Sequence, residues 1–132
     1  MFTSRLYTCI LVIYLHRTLR NYSLEAQMKN YVIIGGSTGI GLELVKTLES
    51  QEANVLATYS KNPVSSRKNV NYIKLDISSD NIDPIDFPDE IHGLAYCPGS
   101  INLKPFLRFK EEEFLEDYKL QVLGAIKVIQ LL

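Results

Sequence analysis

The stretch VIIGGSTGIGLELV, residues 32–45, joins a β-branched apolar run to a helical pattern through a turn rich in glycine. Gly35, Gly39 and Gly41 stand in G-x-x-x-G-x-G spacing. In a strand-to-helix turn each has a physical task. Gly35 permits the tight turn, Gly39 lets the backbone approach a pyrophosphate, and Gly41 lets the helix pack close to the sheet. Ser37 and Thr38 add hydroxyl donors, and the helix start adds unpaired N–H groups and a partial positive charge. A P-loop is excluded, because Leu42 and Glu43 follow Gly41 where a Lys-Ser/Thr pair would be needed. A methyltransferase loop would want an acid after the second strand, where Tyr59, Ser60 and Lys61 stand.

Around this turn the chain alternates strand and helix. Strands are expected at residues 31–34, 54–59, 71–75 and 91–96, and a helix over 39–50 with Ile40, Leu44, Val45 and Leu48 on one face. From about Lys110 an amphipathic helix carries Phe114, Tyr118, Val122, Ile126 and Ile129 at three- and four-residue steps. Its first turn holds Glu111–Glu113, where the helix dipole favours acids. The connections 60–70 and 78–90 are too rich in Pro, Ser, Asn and acids to form good helices. This order predicts an α/β fold, a Rossmann-type doubly wound parallel sheet with right-handed crossovers, truncated after about four strands. Leu132 falls in mid-pattern with no helix stop signal, which reads as truncation.

Composition limits the partners. The 132 residues carry 14 basic and 15 acidic side chains, a net of −1, and 46% are hydrophobic. That is an ordinary globular balance with no bulk attraction for nucleic acid or an anionic membrane. Cys9 and Cys97 lie far apart without CxxC spacing, so reduced thiols and a cytoplasmic location are expected. No metal site is expected: His16 and His92 lack ligand partners, and the acids of residues 80–90 lack calcium-loop spacing.

Residues 1–27 hold three arginines against one glutamate, and an apolar run from Leu6 to Leu15 too short to span a bilayer. His16, Arg17 and Arg20 then occupy the place of a signal cleavage site. Met28 opens a compact start, so two domains of reading result: 1–27, an extension read as upstream translation or an interfacial anchor, and 28–132, the nucleotide-binding unit.

The residues now assembled resemble the short-chain dehydrogenase/reductase family over 29–132, its N-terminal half. The family pattern TGxxxGIG is similar to Ile34-Gly35-Gly36-Ser37-Thr38-Gly39-Ile40-Gly41, with Ile34 replacing the Thr. Asp76 and Ile77 match the Asp-hydrophobic pair that holds adenine. Tyr96-Cys97-Pro98-Gly99 stands at the Asn-Asn-Ala-Gly segment that lines the ribose, matching by identity at Gly99 alone. Gln121 aligns with the helix Asn that organises a relay water.

The resemblance implies a sheet order 3-2-1-4, hydride transfer between a nicotinamide cofactor and a small carbonyl or alcohol substrate, and a homo-oligomer formed through the terminal helix. Ser60 and Lys61 suit a 2′-phosphate, so NADP is expected over NAD. The family's catalytic Ser and Tyr-x-x-x-Lys are absent, since no tyrosine here has Lys four residues on. The alternative is a dinucleotide-binding sensor or scaffold without catalysis.

Overall fold

The structure, a computed structural model, describes residues 11–13, 28–79, 82, 84–100 and 103–132. Strand β1 (Leu11–Ile13) comes first, then β2 (Asn30–Ile34), helix α1 (Gly39–Ser50), β3 (Asn54–Tyr59), β4 (Val70–Lys74) and β5 (Gly93–Tyr96). A 3₁₀ turn at Phe106–Arg108 precedes α2 (Glu111–Tyr118), a π-helical turn (Lys119–Leu123) and α3 (Gly124–Leu131). The five strands form one sheet in the order β1-β5-β2-β3-β4. The pairs β5–β2, β2–β3 and β3–β4 are parallel, which is the four-strand arrangement expected.

The central strands are apolar on both faces because each face is covered. On one side Ile33, Val55, Ala57 and Ala95 pack with Val45 and Leu48 of α1. On the other, Val32, Ile34, Leu56, Leu94 and Tyr96 pack with Ala125 and Val128 of α3. Each large side chain so buried contributes about 1.5–3 kcal/mol, and these two layers fix which faces of the helices turn inward.

Two expectations differ from the structure, the side of Ile40 and the number of strands. Ile40 does not join the α1 core face: it is 54% exposed beside the glycine turn. The stripe Phe114, Tyr118, Val122, Ile126 and Ile129 faces solvent. The inward side is made by Leu120, Gly124, Ala125 and Val128, whose small residues let the helix sit close. Beyond the four strands expected, the outer edge of β5 pairs antiparallel with β1: Leu11 opposite Tyr96, Val12 opposite Ala95 and Ile13 opposite Leu94. The rest of residues 1–27 lies outside the described residues.

Candidate functional site: the glycine turn and its two flanking loops

Gly35 and Gly39 adopt φ of +78° and +56°, the left-handed region that glycine enters without a Cβ penalty. A Cβ at Gly35 would stand 3.0 Å from Pro98 N and 3.2 Å from the Cys97 carbonyl carbon. The turn after β2 and the loop after β5 are thus in backbone contact, and Cys97 N–H donates to the Ile34 carbonyl at 2.8 Å. Gly41 is buried where a Cβ would overlap the Gly35 carbonyl. A Cβ at Gly39 would meet nothing within 4 Å. The start of α1 therefore looks onto open space, with Thr38 as N-cap in extended backbone and no side-chain cap. Thr38 is exposed and Ser37 half-buried beside that turn.

The turn is held from below by residues that the motif does not contain. Gly35 N–H donates to Thr58 Oγ1 at 2.9 Å, and Gly36 N–H to the Thr58 carbonyl at 2.8 Å. The Tyr72 hydroxyl donates to the Gly36 carbonyl at 3.1 Å. A threonine inside the apolar run NVLATY was the available signal for the first of these. Nothing local marks the second.

Ser60 and Lys61 stand exposed just after β3, at the same sheet end as the glycine turn. Asp76 follows β4 and is exposed. Its Oδ1 accepts the Ser78 hydroxyl at 2.6 Å and the Ser78 N–H at 3.1 Å, an Asx turn. Those two hydrogen bonds, helped by the Lys74 and Lys61 charges, hold the carboxyl below its ordinary pKa. Ile77 is buried in the core against Gly124. Cys97 is half-buried, and burial pushes its thiol pKa up, away from thiolate chemistry. Gly99 is exposed. Beyond it, Ser100 Oγ donates to Asp117 Oδ1 at 2.6 Å, and Gln121 Nε2 donates to the Ser100 carbonyl at 3.4 Å. Gln121 thus meets the loop after β5. His92 lies at the other end of β5, its Nδ1 accepting the Asn30 N–H at 3.1 Å.

The strand ends therefore gather Gly35, Ser37, Thr38, Gly39, Ser60, Lys61, Asp76, Cys97 and Gly99 along one rim of the sheet. Fold and rim together define an α/β protein with a dinucleotide-type glycine turn. No protein-family model matches the chain. Two proteins of Schizosaccharomyces pombe, both named uncharacterized oxidoreductases, align with it. One is 31% identical over 117 residues, 76% of this chain and 46% of that protein. The other is 43% identical over 123 residues, 77% of this chain and 47% of that protein. A short chain dehydrogenase from Leptospira borgpetersenii, solved with bound NAD+, superposes with a TM-score of 0.63 and 27% identity, over 88% of this chain and 49% of that one. A short chain dehydrogenase family protein from Francisella tularensis shares the fold with a TM-score of 0.64 at 22% identity, over 79% and 45%. In sequence the chain is thus similar to two oxidoreductases, and in fold to short-chain dehydrogenases. It spans about half the length of the curated relatives it matches. Among the described residues no helix is long and apolar enough to cross a membrane.

Proposed function

We propose that this chain supplies the nicotinamide dinucleotide site of an oxidoreductase that moves hydride between the cofactor and a small carbonyl or alcohol substrate. The observation that carries the reading is the glycine turn: two left-handed glycines, with open space over Gly39 at the start of α1. The residues present fit such a cofactor. Backbone N–H groups at the start of α1, with Ser37 and Thr38, would hold the pyrophosphate. Asp76 and the Cys97–Gly99 segment would flank the adenine and ribose ends, and Ser60 and Lys61 a 2′-phosphate. The bound cofactor supplies the redox chemistry, and this chain's residues bind and orient it. The outward stripe from Phe114 to Ile129 supports a homo-oligomer, since monomers rarely leave so contiguous an apolar face in water.

Fluorescence titration with NADPH and NADH tests the reading. NADPH is expected to bind roughly tenfold more tightly, the worth of one charge-assisted contact, and Lys61→Ala to close that gap. Binding of neither cofactor would remove the site assignment, and tighter NADH binding would remove the NADP preference alone.

A further inference from the structure

The helix over 111–131 is not regular, and its irregularity meets Tyr96. The Gly124 N–H donates to the Lys119 carbonyl, five residues back, as a π turn requires. In an α-helix it would donate to Leu120, four back. The Leu120 carbonyl instead accepts the hydroxyl of Tyr96, the last residue of β5. Tyr96 is buried beneath the helix, and a Cβ at Gly124 would overlap its hydroxyl and come 2.9 Å from Ile77 Cγ1. Tyrosine at the strand end and glycine at the helix junction are thus one fitted pair.

This pair governs more than packing. Downstream of the junction α3 is anchored in the core by Ala125 and Val128. Upstream, Asp117 and Gln121 grip Ser100. A π turn adds one residue to the helix, and each residue is worth about 100° of rotation. Closing it into α-helix would swing Asp117 away from Ser100 while α3 stayed in place. The Ser100 loop is the same one whose Pro98 abuts Gly35.

We infer that Tyr96 is a positioning residue: its hydroxyl holds the π turn open, and the open turn fixes Asp117 and Gln121 against the loop that walls the glycine-turn site. Its consequence for ligand affinity rests on the dinucleotide reading; its consequence for the helix does not. The test is Tyr96→Phe in the full chain, followed by amide NMR and by NADPH and NADH titration. The expected result is displaced signals at Asp117–Gly124, the Gln121 side-chain amide and Ser100, with cofactor affinity lowered about tenfold, the worth of one lost buried hydrogen bond. A lower melting temperature with those signals unmoved would overturn the inference, because Tyr96 would then only pack. If the parent binds neither cofactor, the dinucleotide reading fails and the NMR signals alone decide. Should Tyr96→Phe not fold, Gly124→Ala pushes the hydroxyl off Leu120 from the helix side and must displace the same signals; unmoved Ser100 and Gln121 signals there also overturn it.

Discussion

Thr58 holds Gly35 from the neighbouring strand: its Oγ1 accepts the Gly35 N–H at 2.9 Å while its carbonyl accepts the Gly36 N–H. The threonine is 2% exposed, so no water competes for either bond. Both N–H groups are therefore satisfied inside the protein. The turn's left-handed first residue is set by the fold before any ligand arrives, which spares binding the cost of ordering it.

Thr58→Val keeps the shape and removes the acceptor. The Gly35 N–H is then buried without a partner, which costs about 1–3 kcal/mol. A urea unfolding curve should show that loss, and Thr58→Ser should recover most of it. Equal midpoints for Val and Thr would mean that the turn holds itself.

Gly35→Val combines two penalties. The left-handed backbone is costly for a β-branched residue, and the new Cβ meets Pro98 and Cys97 backbone atoms at 3.0–3.2 Å, which cannot swing aside. With about 2–3 kcal/mol of strain directed at the phosphate side of the turn, dinucleotide affinity should fall roughly 100-fold. A variant that remains folded by circular dichroism and binds like the parent would show that the phosphates sit elsewhere.

Legibility in the sequence followed the range of the forces involved. Gly39–Ser50 and Asn54–Tyr59 have the bounds that their local patterns predict, because glycine spacing and a β-branched run decide them within a few residues. Strand β4 starts one residue earlier than expected, since Val70 pairs with Val55 and the Asp76–Ser78 turn ends the ladder. Strand β5 begins at Gly93 rather than Ile91; a Cβ there would come 2.9 Å from the Tyr31 ring. The apolar stripe of the last helix was visible, but its direction was not. Two apolar sides exist, and the inward one is built from Gly124 and Ala125, which score weakly as hydrophobic residues yet permit close approach. The π turn depends on Tyr96, 24 residues before Leu120, and no periodicity announces it.

Alkaline pH should unlock that same tyrosine. Burial pushes the Tyr96 pKa from 10.0 up to about 12, because the phenolate loses its hydration there. A folded-state pKa above the unfolded one contributes stability that is complete below pH 10 and is lost as pH rises through 12. The amount at stake is roughly 2–3 kcal/mol. Ultraviolet titration should show a late tyrosine component near pH 12 that disappears in Tyr96→Phe, together with a melting temperature that falls from pH 10 upward. A titration curve near pH 12 that Tyr96→Phe leaves unchanged would contradict this.

The last prediction concerns the first residues. Strand β1 lies antiparallel on β5, with Ile13 opposite Leu94, while Tyr31 of β2 lies opposite Gly93 on the other side. The end of β1 thus lies at the sheet end where β2 begins. The run Leu6–Leu15 lacks the alternation that marks a half-buried strand, so its pairing could not be read from pattern alone. Without β1, the outer N–H and C=O groups of Gly93–Tyr96 would form a bare edge, and no Lys or Pro within that strand blunts it. A few backbone hydrogen bonds at about 0.5–1.5 kcal/mol each are involved, enough to shift a melting curve. A chain starting at Met28 should therefore melt earlier than the 132-residue chain and self-associate more through the uncovered edge. Size-exclusion chromatography with light scattering and a thermal melt measure both. A monomeric Met28 chain with the parent's melting temperature would show that the edge needs no partner, and the pairing of β1 would then carry no weight in the fold.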